Sequence, residues 1–324
     1  MALTPDTITT KPRIAIVFPG QGAQAVGMTA ELSEIYPQIR DTFAEASTAL
    51  GEDLWAICQD EDKLNQTQYT QPALLAASIA IWRILQEKLT EANITPCYLA
   101  GHSLGEYSAL CASGVLSFAD AIQLVHKRGQ LMQEAVAGID TAMAAVLGLE
   151  DSRVETLCEQ ATEHVDDAIV NAANFNSPGQ VVISGNALGV AAVIDKVQNT
   201  GKKAIPLKVS VPSHCALMEP ASQALAEALA AINFDQAAIP VIQNRHARVE
   251  TSSPSIKQAL TEQLSEAVLW SKTMQELADK QINILIECGS GNVLSNLAKR
   301  QAQPITSYPT DKPARLDKLM EALS

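Results

Sequence analysis

The sequence predicts an α/β protein in which a parallel sheet forms the core and a smaller α+β unit is inserted into it. Three observations carry this. Short, fully apolar runs such as Ile14-Ala15-Ile16-Val17-Phe18 stop at glycine turns, as strands buried on both faces do. Stretches of helical period separate these runs. Between residues 143 and 209 the rhythm changes to β-α-β-β-α-β, the ferredoxin-like split unit. A chain of 324 residues, 47% hydrophobic and 18% charged, has room for a sizeable core and for both units.

Pro19-Gly20 ends the first strand, and helical patterns follow over 29–50 and 70–89. Thr95-Pro96 breaks the chain before a second strand at 97–100, and a helix begins near Glu106. Ser117, with Asp120 three residues on, caps a helix that runs to about Val136. The insert is then strand 143–149, helix 152–164, strands 168–174 and 181–184, helix 188–198 and strand 204–209. Its central pair turns at Asn176-Ser177-Pro178-Gly179. A helix over 220–232, a strand over 239–242 and helical segments within 256–274 follow. A strand over 282–287 ends in Cys288-Gly289-Ser290-Gly291, and a helix starts at Asn292. The expected division is a larger, discontinuous unit of 12–136 and 210–324 around an insert of 137–209.

The composition excludes several classes. A formal net charge of −13 and 4% aromatic residues do not suit a nucleic-acid binder, which needs a cationic face. The longest apolar run, 73–82, falls short of the ~20 residues of a membrane span. The polar leader up to Lys11 lacks the apolar stretch of a secretory signal. Cys58, Cys97, Cys111, Cys158, Cys215 and Cys288 are scattered without a C-x-x-C pair, so free thiols in a reducing cytoplasm are expected and a metal site is not.

The sharpest chemical signal is Gly101-His102-Ser103-Leu104-Gly105, a G-x-S-x-G motif between a strand and a helix. There it makes a tight turn that exposes the Ser103 hydroxyl and aims the Leu104 N–H, at the helix start, toward any oxyanion formed nearby. The bland alternative is a serine that caps an ordinary helix. A hydroxyl nucleophile needs a base. Among five histidines, the turn directs His102 away, His164 sits in a hydrophilic helix, and His126 projects from the outer face of its own. His214, in the loop Val211-Pro212-Ser213-His214-Cys215, is the first candidate and His246 the second. Cys215 reads as packing, since only His214 could lower its pKa.

Arg128 falls in the middle of an apolar stripe made by Ala121, Leu124, Val125, Leu131, Met132 and Ala135. A buried guanidinium needs an anionic partner. An internal carboxylate, snorkelling to solvent, or a bidentate clamp on a substrate carboxylate would each satisfy it. The loop Gly20-Gln21-Gly22-Ala23-Gln24-Ala25 spells a dinucleotide fingerprint, yet Pro19 follows the strand, Gly27 interrupts the helix and no acid-ended second strand comes next. A backbone N–H, that of Gln21, facing the Ser103 turn suits the loop better.

Phe18-Pro19-Gly20-Gln21-Gly22, Gly101-His102-Ser103-Leu104-Gly105-Glu106, Lys127-Arg128-Gly129 through Ala135, Asn174-Phe175-Asn176-Ser177-Pro178-Gly179-Gln180 and Val211-Pro212-Ser213-His214 through Met218 stand in one order. In that order they resemble the malonyl-CoA:acyl carrier protein transacylase family over about residues 12–302. The resemblance implies an α/β-hydrolase-like core with a ferredoxin-like insert and a Ser103–His214 dyad. It also implies an oxyanion hole from the Gln21 and Leu104 N–H groups, Arg128 on the malonyl carboxylate, and Asn174 as a substrate contact. The backbone carbonyl of Leu269 would orient His214 in place of an acid. Malonyl-CoA as substrate, acyl carrier protein as partner, no cofactor, and a cytoplasmic monomer follow from the same resemblance. Leu269, Ala267, Ser290 and Arg245-His246 depart from the family pattern. A polyketide-pathway acyltransferase with another extender unit, a serine thioesterase or esterase, and a non-catalytic acyl-binding protein are the alternatives. Carrier protein and coenzyme A are both anionic, so the charge of −13 must be unevenly spread. Lys202, Lys203, Lys208 and Lys299-Arg300 form basic groups, some of which are expected to line the mouth of the site.

Overall fold

The computed structural model describes residues 12–209 and 211–324; the leader up to Lys11, read above as lacking a secretory signal, lies outside the described residues. Along the chain come β1 (Ile14–Phe18), β2 (Tyr98–Gly101), β3 (Thr141–Leu147), β4 (Val170–Ser177) and β5 (Gln180–Asn186). They are followed by β6 (Lys203–Pro206), β7 (Val241–Gln243), β8 (Arg248–Val249), β9 (Ile284–Glu287) and β10 (Thr306–Pro309). One six-stranded sheet runs β10-β9-β1-β2-β7-β8. It is parallel except for β8, which folds back on β7.

β1 sits at the centre and is wholly buried. Its period of two splits it between the faces of the sheet. Ile14, Ile16 and Phe18 join a core with the helices Gln38–Leu50, Thr67–Glu91 and Phe118–Ala135, while Ala15 and Val17 join a second core with Trp270, Met274 and Leu294. The loops after β1, β2 and β9 leave the carboxyl ends of parallel strands, where open α/β sheets place their sites.

The second sheet is antiparallel, in the order β4-β5-β3-β6, as the split unit requires. Ala144 and Val146 of β3 pack under the helices Asp151–His164 and Ala187–Gln198. The alternate residues Met143 and Ala145, with Val182 of β5, point the other way into a cavity shared with the first sheet. The insert is tied to the rest of the chain through β4. The Phe175 N–H donates to the Val268 carbonyl (3.0 Å), and the Val268 N–H donates to that of Ala173 (2.9 Å).

Proline accounts for most departures from the expected elements. The pattern over 29–50 divides into Ala30–Ser33 and Gln38–Leu50, with Pro37 capping the second helix. The next helix, Thr67–Glu91, begins earlier than expected and carries Pro72 in its second turn. Pro72 has no N–H to give the Gln68 carbonyl four residues back; His126 Nδ1 meets that carbonyl instead, at 2.8 Å. The insert's last strand stops at Pro206. β10 and the terminal helix Pro313–Leu323 carry too short an apolar signal to be read beforehand, with only Leu316 and Leu319 fully buried in that helix. No described helix is long and apolar enough to cross a membrane.

Candidate active site

Ser103 sits on the turn from β2 into the helix Gly105–Ala112. Glycine at both flanks is a matter of close approach. A Cβ on Gly101 would lie 1.9 Å from the Gly105 backbone, and one on Gly105 would lie 2.0 Å from the Phe18 carbonyl oxygen. Ser103 itself adopts a left-handed φ of 52°, a conformation that costs a non-glycine residue about 1–3 kcal/mol. Asn244 holds it there: its Oδ1 accepts from the Ser103 N–H (2.6 Å) and its Nδ2 donates to the Gly101 carbonyl (2.5 Å).

His214 Nε2 lies 2.7 Å from Ser103 Oγ. His214 too is left-handed, at φ 63°, and is buried. Its Nδ1 is 2.6 Å from the Gln263 carbonyl and its backbone N–H donates to that of Leu264 (3.0 Å). An Nδ1 facing a carbonyl must carry the proton, which leaves the Nε2 lone pair for the serine hydroxyl. Burial, and then the charge of Arg128, push the imidazole down to about 3, so it is a neutral acceptor.

This geometry corrects the expectation for Leu269. Its carbonyl accepts from the Thr273 N–H (2.9 Å) at the start of the helix Trp270–Asp279, and its N–H donates to Asn244. Its side chain lines a separate cleft of about 570 Å³ with Glu150 and Lys272. The carbonyl on His214 comes from Gln263, in the last turn of the helix Ser253–Ser265, where carbonyls have no partner within the helix. The negative end of that helix also favours the imidazolium that forms when His214 takes a proton.

Arg128 is buried from the middle of its helix, as the apolar stripe required. Nη1 donates to Gln71 Oε1 (2.7 Å) and Nη2 to Gln263 Oε1 (3.1 Å), with Ser103 Oγ at 3.5 Å from Nη2. Its guanidinium carbon lies 5.4 Å from the Tyr107 ring centroid. Among the described residues no carboxylate forms an ion pair with it, and Nε has no partner.

Ser103, Leu104, Arg128, His214, Gln21 and Asn174 line one cavity of about 290 Å³. The loop bearing Gln21 is pressed on the serine turn, since a Cβ on Gly20 would come 2.3 Å from the His102 carbonyl oxygen. Ser290, one of the departures, donates its hydroxyl to the Ala23 carbonyl (2.7 Å) and pins this loop. Leu207, Val209 and Val293 form an exposed apolar rim. Lys208 stands between the first two, and Arg300 Nη1 donates to the cavity residue Gln180 (2.9 Å). Lys202, by contrast, lies against Gly148 at the far end of β6.

The other histidines take no part. His102 Nε2 meets Asn176 Oδ1 (2.8 Å), and His164 is exposed. His246 is exposed 3.8 Å from Glu262, which together with Glu266 also receives the departing residue Arg245. Cys215 is buried and its thiol is pushed up by that burial. Gln263 and Asn244 were missed from sequence. Gln263 had a readable signal, because it shares the buried stripe of Ile256, Ala259, Leu260 and Leu264 just as Arg128 shares its own. Asn244 merely follows a short strand.

A serine with a neutral base on one side and a cavity for an acyl group on the other defines a serine acyl-transfer site on an α/β scaffold. The family is also shown: the acyl transferase domain matches residues 15–309, and the chain belongs to that family. It is 46% identical over 307 residues to the malonyl CoA-acyl carrier protein transacylase of Salmonella typhimurium, covering 94% of this chain and 97% of that protein. Its fold is similar to that of the malonyl-CoA:acyl carrier protein transacylase of Xanthomonas oryzae, with a TM-score of 0.92, 48% identity, and 97% and 99% of the two chains covered. It is also similar to a malonyl-transacylase in complex with its type II PKS acyl-carrier protein, with a TM-score of 0.91, 44% identity, and 96% and 99% covered. These findings bear out the resemblance read from the motifs.

Proposed function

We propose that this protein transfers the malonyl group of malonyl-CoA to the phosphopantetheine thiol of acyl carrier protein through a malonyl-Ser103 intermediate. One observation carries the choice of acyl group. Arg128 is buried beside the serine, its direct hydrogen-bond partners Gln71 and Gln263 are neutral amides and its Nε has no partner, so a substrate carboxylate supplies an anion in direct contact.

His214 Nε2 takes the hydroxyl proton as Ser103 Oγ bonds to the thioester carbon. The Leu104 and Gln21 N–H groups receive the oxyanion. When the C–S bond breaks, the imidazolium returns the proton to the sulfur of coenzyme A. The carrier's thiol then attacks malonyl-Ser103 by the reverse route, giving ping-pong kinetics. A carboxylate bound at Arg128 offsets the charge that depresses His214, so the correct substrate strengthens its own base.

Malonyl-CoA enters as substrate and coenzyme A leaves as product, and these steps call on no cofactor. Residues 12–136 and 210–324 act as the catalytic unit and 137–209 as the wall that carries Asn174. The protein acts as a monomer in the cytoplasm; six free cysteines support the compartment. Intact-mass measurement after mixing with malonyl-CoA tests the reading. Wild type gains one malonyl group and Ser103→Ala gains none; an adduct that persists on Ser103→Ala moves the nucleophile elsewhere.

A further inference from the structure

Behind Ser103 lies a carboxylate that the mechanism above does not use. Glu106, in the first turn of the Gly105–Ala112 helix, is fully buried. Its Oε2 accepts from the Asn244 N–H (2.9 Å) and from Gln263 Nε2 (2.8 Å), while Oε1 has no partner. Gln263 Nε2 also donates to the Ser103 carbonyl (3.0 Å), and Gln263 Oε1 accepts from Arg128 Nη2 (3.1 Å). The amide fits only one way round. Flipped, it would set its NH₂ against a guanidinium and its oxygen against a carbonyl and a carboxylate.

The amide dipole therefore lies between two buried charges of opposite sign. Tyr107 stands beside Glu106 on its own helix, and burial pushes the imidazoles of His214 and His102 down. On the neighbouring elements, the partly exposed Arg245 and Glu262 pair with each other (3.5 Å). Among the described residues, Arg128 is the cation that acts on Glu106. A direct ion pair between the two would occupy the guanidinium. The interposed amide engages Nη2 alone and leaves the buried Nε without a partner.

We propose that Glu106 is a positioning residue for acyl transfer: acting through the Gln263 side chain, it balances and aims the Arg128 guanidinium while leaving an edge free for a substrate carboxylate. The proposal rests on the reading of Arg128 as the malonyl-carboxylate ligand. Since the Gln263 carbonyl also holds His214, one residue links the base to the carboxylate clamp.

Glu106→Gln keeps an acceptor oxygen for both donors and removes the charge. Gln263→Met removes the relay but leaves the carbonyl on His214. Transfer to carrier protein from malonyl-CoA, with acetyl-CoA in parallel, is measured for wild type, both single variants and the double variant. Each single variant should lose about tenfold or more in malonyl kcat/KM and in the malonyl-over-acetyl ratio, and the double variant should fall no further than about threefold below the poorer single one. A Glu106→Gln enzyme within about twofold of wild type, or losses that multiply in the double variant, would overturn the proposal. If Glu106→Gln does not fold, Gln263→Met decides alone: a fall in the ratio supports the relay, and equal loss for both acyl groups marks a merely structural role and rejects it. Absence of a malonyl adduct on wild-type Ser103 would instead defeat the underlying reading, before any variant is compared.

Discussion

Replacing Arg128 by alanine should convert a malonyl-selective enzyme into an indiscriminate one, and the structure sets the size of the effect. In the free protein Nη1 donates to Gln71 and Nη2 to Gln263 while Nε has no partner, so a substrate carboxylate gains at least the Nε hydrogen bond and meets Nη2 as well. A hydrogen bond to a charged group contributes about 1.5–3 kcal/mol. At about 1.4 kcal/mol per tenfold, Nε alone accounts for roughly 10- to 150-fold in malonyl kcat/KM, and the contact at Nη2 raises that. Acetyl-CoA makes neither contact, so Arg128→Ala should change its rate by less than about tenfold. The lost side chain borders a cavity that water can enter, which spares Gln71 and Gln263 from burial without partners. The assay is competition: equal malonyl-CoA and acetyl-CoA are mixed with enzyme, and the two Ser103 adducts are counted by intact mass after a short interval. A preference ratio that stays at the wild-type value would refute the assignment of Arg128.

Three further outcomes follow from the same geometry. Burial raises Glu106 from 4.5 to about 7 in the folded chain, so the folded state binds the proton more tightly and stability falls as pH rises between those values. Thermal unfolding across that window should show the Tm of wild type dropping relative to Glu106→Gln, and a constant gap would contradict the buried carboxylate. His214 works in the opposite sense: its pKa falls from 6.5 to about 3, so its contribution is complete above 6.5 and is lost on acidification, and His214→Ala should flatten the acid side of the Tm profile. Charge reversal at Lys208 or Arg300, which flank the mouth, should slow transfer to the acidic carrier more than hydrolysis of malonyl-Ser103, with an effect that shrinks in high salt; reversal at Lys202, at the far end of β6, should do less.

Ser103 was legible because its strand, turn and helix are contiguous and the flanking glycines have a single geometric use. Arg128 was legible as a buried charge because it falls in the middle of an apolar helical stripe, although an internal carboxylate or snorkelling would have explained it as well as a substrate clamp. The insert's strands were legible from the β-α-β-β-α-β rhythm and from turn chemistry. The group behind His214 was not, since it depends on how a loop at 211–215 docks on the end of a helix some fifty residues later, and motif spacing carried the expectation to Leu269 instead of Gln263. Glu106 stood in plain view in the motif, but its burial and its bond to Gln263 belong to packing across distant segments. Pro37 and Pro72 show the same limit at the level of helices: one proline opens a new helix within the helical pattern and the other is absorbed, because His126 takes up the carbonyl that Pro72 cannot satisfy.

The central claim is that Ser103 holds a malonyl group for delivery to a thiol and not to water. Malonyl-enzyme freed of excess malonyl-CoA and then divided between buffer and carrier protein bearing phosphopantetheine tests this most directly. The account predicts that malonyl-carrier forms at once, while the portion in buffer retains its adduct over the same interval. Release of free malonate at the same rate in both portions, with no malonyl-carrier, would contradict it.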